Sequence, residues 1–179
     1  SDPLDPTPDM ILQGANPDDR FGSSLAGVGN ADGQPGSDLL AGASRATLDR
    51  TWQGAIYLFS GGAGIDAVAD WYVYGEGAGD ELGFAVAAAG DANGDGANDL
   101  LAGAPYRNRG SVLDAGGAFL FYGGAVLDGT ADFVVEGGTQ GEFLGTSVAG
   151  CGDVTGSGFG HLLIGVPGND AAGTDAGRI

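Results

Sequence analysis

The nine residues from 91 to 99 have the composition and spacing of a divalent-cation site. Oxygen donors occupy the alternate positions of this segment: Asp91, Asn93, Asp95, the Ala97 carbonyl and Asp99. Calcium binds about six to eight oxygen atoms in proteins, and a tight loop can supply them from alternate positions. Gly96, at the sixth position, permits the positive φ that such a turn needs. The spacing therefore predicts a calcium-binding loop.

Two other interpretations of this segment are open. An EF-hand loop begins with the same spacing, but it requires flanking helices and a glutamate at the twelfth position, where this chain has Ala102. A solvated turn is also rich in aspartate, asparagine and glycine, because these residues favour turn conformations. The complete spacing favours a metal-binding hairpin between two β-strands.

The loop lies within a unit that recurs along the chain. Three stretches of twenty residues align without a gap: 21–40, 82–101 and 144–163. Their shared glycines, Gly22, Gly83 and Gly145, lie 61 and 62 residues apart. Similarity at a fixed period indicates a repeat architecture, so each loop has a counterpart in the other units.

The first and third units carry weaker copies of the loop. In the first unit the aligned residues are Asn30, Asp32, Gln34, Gly36 and Asp38. Pro35 replaces the glycine of the second loop and cannot adopt a positive φ, so we expect a weaker calcium site there. In the third unit the aligned residues are Asp153, Thr155, Ser157, Phe159 and His161. One carboxylate and an imidazole suit calcium poorly, so a metal-free hairpin is expected.

Each unit contains four short apolar segments that we interpret as β-strands. The first is rich in small residues such as Ala85 and Ala87, and the second is apolar on both faces, as at Leu100 and Leu101. Strands that are buried on both faces have neighbouring layers on each side. The pattern predicts an all-β protein whose four-stranded antiparallel sheets are the blades of a β-propeller. A helical solenoid fits less well, because sustained helical periodicity is missing and frequent glycines penalise helices.

The second unit resembles the FG-GAP repeats that form the blades of the integrin α-subunit propeller. The resemblance rests on the Leu82-Gly83 start, the loop at 91–99 and the Gly103-Ala104-Pro105 end. It extends over residues 9–179 and weakens in the third unit, which has Val166 in its Gly-Val-Pro end. The resemblance implies an extracellular calcium-binding propeller that serves cell adhesion or ligand recognition. Similar repeats occur beside catalytic domains and in microbial surface proteins, so the fold is better defined than the partner.

The chain holds about three blades, which is too few for a closed ring. We expect it to be part of a seven-bladed propeller whose remaining blades come from the same parent chain. The predicted divisions are an extended linker at 1–8, a strand 4 closing segment at 9–14, blades at 22–75 and 83–137, and an incomplete blade at 145–179.

Composition excludes several classes of function. The chain has 24 acidic residues against six arginines and no lysine, and its net charge of −18 predicts no nucleic-acid binding. No apolar run approaches the roughly 20 residues of a membrane span, so no membrane insertion of this segment is expected. Cys151 and His161 are the only residues of their types, which leaves few partners for a catalytic nucleophile. We expect a non-enzyme in which Cys151 is a small buried residue and His161 a hairpin-base residue.

All six arginines are predicted at the blade end opposite the calcium hairpins. Arg20 is placed in a loop between strands 4 and 1, and Arg178 at the end of a loop between strands 2 and 3. The remaining four lie in the 2-3 loops: Arg45, Arg50, Arg107 and Arg109. Integrin-like propellers resemble this arrangement in using the 2-3 and 4-1 loops for ligands, which implies that these four form a ligand face. The alternative is that the arginines only neutralise an acidic surface.

The leading interpretation is an extracellular or cell-surface module that binds Ca2+ and recognises an extracellular protein or an acidic glycan. Two other functions are open: an accessory propeller domain of a secreted hydrolase, or a structural surface-assembly protein whose copies complete one another's rings.

Overall fold

The structure is a computed structural model that describes residue 8 and residues 10–179. The described part of the chain contains ten β-strands and no helix, which confirms the prediction of an all-β fold. It follows that none of the described residues form a helix that could cross a membrane. The linker predicted at 1–8 lies outside the described residues except for Pro8, and so does Asp9 of the predicted closing segment.

The strands follow the order expected from the repeat. In the first blade they are β1 (Phe21–Gly29), β2 (Asp38–Ala43), β3 (Ala55–Phe59) and β4 (Trp71–Tyr74). In the second blade they are β5 (Ala85–Gly90), β6 (Asp99–Ala104), β7 (Gly117–Phe121) and β8 (Phe133–Glu136). The third blade has β9 (Val148–Gly152) and β10 (His161–Ile164). The first two blades are four-stranded antiparallel sheets in sequential order, and the third is a two-stranded sheet.

The central strands are apolar because sheets cover them on both sides. All six residues of β6 are buried, including Leu100 and Leu101, and β7 is buried throughout. Leu40, Leu58 and Phe119 belong to the same hydrophobic core, which joins the first blade to the second. The burial of both faces that the sequence predicted is therefore confirmed for these strands.

Small residues allow successive blades to approach closely. Strand β5 lies between β1 and β9, so the first strands of the three blades stand side by side. A Cβ atom on Gly42 would collide with the carbonyl oxygen of Gly83, and one on Gly103 would collide with that of Gly145. These are the glycines that begin and end the repeated motif. The glycines of the repeat therefore lie where successive blades contact each other.

The structure also locates the N-terminal segment, the two tryptophans and Cys151. Residues 10–14 of the predicted closing segment form no strand here, and its role as a strand 4 stays a prediction. Trp71 on β4 packs edge-on against Phe121 of the second blade. Trp52 adopts a φ of 53° in the 2-3 loop, is 45% exposed and stacks on Arg45. Cys151 is only half-buried, and its thiol donates to the His161 carbonyl.

Candidate functional site

The predicted metal loop is the hairpin between β5 and β6, and Asp91 organises it. The Asp91 carboxylate accepts hydrogen bonds from the backbone N–H groups of Gly94, Asp95 and Gly96 at 2.6, 3.0 and 2.9 Å. Three converging N–H groups fix both the position of this carboxylate and the curvature of the loop. The hairpin is therefore shaped by its first residue.

Asn93 and Asp95 form a second set of contacts on the exposed side of the same loop. The Asn93 side chain accepts from the Asp95 N–H at 2.9 Å and donates to Asp95 Oδ2 at 2.8 Å. Asp95 also accepts from the N–H of Ala97 at 2.8 Å. The hydrogen bonds from Ala97 and Asn93 lower the pKa of Asp95. Asp95 is thus held in its ionised form beside an amide oxygen, as an oxygen-ligand site requires.

Asp99 lies beneath the hairpin and is fully buried. Its carboxylate accepts from the N–H of Ala92 at 2.7 Å and from the N–H of Gly123 at 2.8 Å, which joins the hairpin to the 3-4 loop. Burial raises the pKa of Asp99, the two hydrogen bonds lower it, and the charges of Asp95 and Asp91 raise it further. The charges of Asp91 and Asp95 therefore oppose the ionisation of Asp99.

The donor set of this hairpin fits calcium by its chemistry, since every predicted ligand atom is an oxygen. Within the described residues, however, no three His, Cys, Asp or Glu side chains stand together as a metal-binding group. The Asn93 amide contacts Asp95, and both oxygens of Asp99 accept backbone hydrogen bonds. The structure brings the predicted ligands into one hairpin, and calcium binding stays a prediction.

The hairpin between β1 and β2 has the same base but a different turn. Asp38 repeats the role of Asp99, accepting from the N–H of Ala31 and the N–H of Gly61, both at 2.8 Å. Pro35 aligns with Gly96 and has no N–H to donate to the first residue of the loop. The side chain of Asn30 accepts only from Gly33 among the described residues, at 2.8 Å.

The remaining predicted ligands of the first hairpin lie on its exposed turn. Asp32 accepts from the N–H of Gln34 at 2.7 Å, and positive φ angles fall on Gly33, at 75°, and on Gly36, at 149°. In the second hairpin they fall on Gly94 and Gly96, so the second positive φ comes one position later in the first hairpin, after Pro35. The five residues share one hairpin, but their turn differs from that of the second hairpin.

The hairpin between β9 and β10 repeats the turn of the second. Asp153 accepts from the N–H groups of Thr155, Ser157 and Gly158 at 3.2, 2.9 and 2.6 Å. The bond from Gly158 is the largest of the effects that lower the pKa of Asp153 to about 2. His161 stands where Asp99 stands in the second hairpin, with Nε2 3.3 Å from Thr155 Oγ1 and Nδ1 3.9 Å from Asp153. Its location confirms the prediction of a hairpin-base residue.

The three hairpins are joined in series by backbone hydrogen bonds. The N–H of Asn98 donates to the carbonyl of Asn30 at 2.9 Å, and the N–H of Gly160 donates to the carbonyl of Asp91 at 2.7 Å. Each bond joins the eighth position of one loop to the first position of the preceding loop. The second hairpin is therefore held on both sides.

At the opposite end of the blades, Arg107 joins the first blade to the second. Its guanidinium lies 3.1 Å from Glu76, 3.6 Å from Asp80 and 3.3 Å from Glu136. It also lies over the ring of Phe119, and its side chain is 18% exposed. Burial opposes the charge of Arg107, but the hydrogen bonds to Glu76 and Glu136 raise its pKa. The residue is held as a cation between two blades.

The other three arginines of the predicted ligand face are also paired. Arg45 lies 3.5 Å from Glu81, Arg50 lies 3.6 Å from Asp49, and Arg109 lies 3.3 Å from Glu136. Arg50 and Arg109 remain 55% exposed, so they can still contact a partner. Pairing agrees with the alternative that the arginines neutralise acidic surface, and their role in ligand binding stays a prediction.

Sequence reasoning missed a set of buried acids that recurs in the 4-1 loops. Asp19, Asp80 and Glu142 are each at least nine-tenths buried and precede the repeat glycine by three residues. Asp80 accepts from the N–H of Gly77 at 2.9 Å, and burial raises its pKa. Glu142 accepts from the N–H of Thr139 at 3.0 Å. The sequence contained a signal for this set, because the three acids occupy the same position of the repeat.

The fold and the hairpins define a protein built from repeated four-stranded blades of the propeller type. Residues 82–121, the second blade up to the end of β7, match the FG-GAP repeat model. The second blade therefore carries an FG-GAP repeat, as the sequence predicted.

Two curated proteins extend this similarity over most of the chain. Phosphatidylinositol-glycan-specific phospholipase D of Homo sapiens is 32% identical over 175 residues, which cover 92% of this chain and 20% of that protein. Integrin alpha-5 of Xenopus laevis is 29% identical over 154 residues, which cover 84% of this chain and 14% of that protein. The chain thus spans a fifth or less of the relatives that it matches.

Proposed function

We propose that this chain is a non-catalytic, calcium-binding module of an extracellular or cell-surface protein that acts in adhesion or ligand recognition. The observation that carries the proposal is the second hairpin, where the oxygen side chains of an FG-GAP repeat surround one turn. The similarity to integrin alpha-5 supports a recognition role.

Calcium would be held by Asp91, Asn93, Asp95, the Ala97 carbonyl and Asp99. The turn already orients Asp91 through three N–H groups, and Asp99 retains lone pairs beyond the two that accept backbone hydrogen bonds. The bound ion supplies positive charge that offsets the effect of Asp91 and Asp95 on Asp99. The first hairpin, with Asn30, Asp32, Gln34, Gly36 and Asp38, is the weaker site because it has two carboxylates and a different turn.

Substitution of Asp95 tests this proposal without disturbing the buried base of the hairpin. Asp95→Asn keeps an oxygen that can accept from Ala97 but removes one negative charge from the loop. We expect calcium affinity at this site to fall at least about tenfold, as measured by isothermal titration calorimetry. Asp66→Asn removes one charge from an exposed loop outside the hairpins and serves as the control. Equal calcium affinity in the two variants would contradict the assignment.

The recognition surface is proposed at the arginine end, for an extracellular protein or an acidic glycan. Arg50 and Arg109 are the exposed members, whereas Arg45 and Arg107 are partly buried in their ion pairs. Arginine offers a planar fork that matches carboxylates and sulfates. The double change R50S/R109S should weaken binding of a heparan sulfate oligosaccharide and reduce its salt dependence, with calcium stoichiometry unchanged. Unaltered glycan binding by this variant would contradict the assignment of the face.

A second function has support from one specific observation. The phospholipase D of Homo sapiens matches this chain over 92% of its length, which favours an accessory module beside a hydrolase domain. The two functions differ in the activity of the parent protein. Hydrolysis of a glycosylphosphatidylinositol substrate by the parent protein, and not by the 179-residue chain, would support the accessory role.

The structural-assembly function makes a different prediction for the mass in solution. Copies that complete one another's rings would form a defined oligomer at micromolar concentration. A recognition module does not require self-association. Light scattering coupled to size-exclusion chromatography measures this mass directly.

A further inference from the structure

A cleft of about 450 Å³ separates the first blade from the second. The first blade contributes β4 and the loop after it. The second contributes the end of β6, the 2-3 loop at Arg107, β7, β8 and the loop between β7 and β8. Both blades have all four strands, so the described residues supply complete walls on both sides. Sites for small molecules usually have volumes of about 300–1,000 Å³, a range that includes this cleft.

Apolar side chains form part of the wall of the cleft on both blades. Leu82, Phe119 and Phe121 are buried in the core beneath it. Val73 on β4 and Val134 on β8 line it from opposite blades. Such walls favour the hydrocarbon or aromatic part of a ligand, because contact with them removes apolar surface from water.

One end of the cleft has an excess of negative charge. Glu76, Asp80 and Glu136 line this end together with Arg107, which is the one cation among the described lining residues. Arg107 lies within 3.6 Å of all three carboxylates, and Arg109 pairs with Glu136 at 3.3 Å from outside the lining. Three carboxylates against these two arginines leave one net negative charge at this end of the cleft. The side chain of Asp80 is 6% exposed, and partial exclusion of water strengthens its attraction for a further cation.

Asp80 recurs in the repeat as one of the buried acids of the 4-1 loops, but Arg107 and Glu136 are not required by the repeated fold. Ala46 and Tyr74 occupy the positions in the first blade that Arg107 and Glu136 occupy in the second, as the backbone pairing shows. The first blade forms the same four-stranded sheet with neutral residues at both positions. The charged end is therefore a particular property of the boundary between these two blades.

We propose that the cleft binds a small organic cation with an apolar body. Its ammonium group lies against Glu76 and Glu136, and its hydrocarbon or aromatic part lies along Phe119 and Val134. The site is separate from the calcium hairpins, which lie at the opposite end of the blades. Charge-assisted hydrogen bonds to the two glutamates supply selectivity for a cation over a neutral molecule of the same shape.

The proposal is tested with three probes that share one body and differ in charge: 4-phenylbutylamine, 4-phenylbutanol and 4-phenylbutyrate. Isothermal titration calorimetry and amide chemical shifts of the 179-residue chain at pH 7 report binding. The ammonium probe should bind at least about tenfold more tightly than the alcohol, and the carboxylate probe should show no saturable binding. Equal affinity for the ammonium and the alcohol, or no binding of the ammonium, would overturn the proposal.

Substitutions locate the site within the cleft. Val134→Trp fills the cleft from β8 and should abolish binding of 4-phenylbutylamine. Phe133→Trp adds an indole to the same strand at a residue that does not line the cleft, and it should retain binding. Retained binding in Val134→Trp would contradict the proposed location.

The role of charge has its own pair of variants. Glu76 is an exposed member of the charged end, so Glu76→Gln removes a charge with little risk to folding. It should weaken 4-phenylbutylamine binding about tenfold and leave the alcohol unaffected. Asp66→Asn changes the net charge equally at an exposed residue outside the cleft and should leave both affinities unchanged. Equal losses in the two variants would show a nonspecific effect of net charge and overturn the site.

Discussion

The second and third hairpins have the same turn but different charges. Asp91 and Asp153 each accept hydrogen bonds from three backbone N–H groups, including those at the fifth and sixth positions of their loops. The third hairpin adopts this turn although it has one carboxylate and His161 at its base. The conformation of the loop is therefore a property of its first aspartate, and the capacity for calcium depends on the later positions.

The first hairpin separates these two properties in the opposite way. It keeps a buried aspartate at its base, Asp38, but has lost the three-membered set of N–H donors because Pro35 interrupts the turn. The buried aspartate at the base and the hydrogen bonds of the turn thus vary independently among the hairpins. Each can be changed without the other, which makes the comparison testable.

The largest expected effect comes from removing the buried base of the second hairpin. Asp99→Ala leaves the N–H groups of Ala92 and Gly123 without their acceptor, and should lower the free energy of unfolding by about 3 kcal/mol. His161→Ala, at the aligned and partly exposed position, should cost less than about 1 kcal/mol. Urea unfolding without calcium measures both. Equal losses in the two variants would show that Asp99 is not a structural centre.

Calcium should stabilise the chain by a similar amount. At a concentration 100 times its dissociation constant, an ion that binds only the folded chain adds about 2.7 kcal/mol to the free energy of unfolding. The shift should disappear with chelator and shrink in Asp95→Asn. Thermal unfolding by circular dichroism provides the measurement, and a transition that ignores both calcium and chelator would argue against a structural ion.

A smaller effect is expected when a site is built into the third hairpin. The double change S157D/H161D places carboxylates at its fifth and ninth positions, on a turn that already matches the second hairpin. One additional calcium equivalent should bind, more weakly than at the second hairpin, because Thr155 replaces the amide of Asn93. Calorimetric stoichiometry decides the outcome; an unchanged value would mean that the turn and the carboxylates are insufficient together.

The smallest effect is the pH dependence of stability. Its direction differs between the second hairpin, through Asp99, and the third, through Asp153. The raised pKa of Asp99 means that protonation begins at a higher pH than its usual value of 3.8 would give, so calcium affinity should begin to fall earlier on acidification. Without calcium, the same raised pKa favours the folded chain as pH falls through it, because burial disfavours the charged form.

The third hairpin provides the contrast for this pH dependence. The lowered pKa of Asp153, about 2, contributes stability above its unfolded value of 3.8 that is lost as the pH falls towards 2. NMR titration of the two carboxyl groups measures both directions. A pKa for Asp99 below that of Asp153 would contradict the assignment.

The strands and hairpins could be predicted because their signals are local and repeated. Gly83, the alternating oxygens after Asp91 and the pair Leu100-Leu101 recur at fixed spacing in every unit with few changes. Such a pattern identifies a blade without any knowledge of its neighbours. The all-β fold and the FG-GAP repeat of the second blade were therefore accessible from the sequence.

Contacts that differ from one blade to the next could not be predicted in the same way. Arg107 reaches Glu76 in a different blade and lies over Phe119 in its own. Ala46 occupies the corresponding position of the first blade, so the repeat does not mark these contacts in the sequence. The sequence placed these residues in the right loops, but their roles depend on packing between elements that are distant along the chain.

Because hydrogen bonds join the hairpins in series, the state of one loop can be measured at an amide hydrogen of the next loop. The Asn98 amide hydrogen is held by the first hairpin, and the Gly160 amide hydrogen is held by the second. Exchange of the Gly160 hydrogen with deuterium requires that its bond to Asp91 open, so calcium at the second hairpin should slow exchange at a residue of the third. Local opening would then spread between nearest neighbours, as in linear repeat proteins.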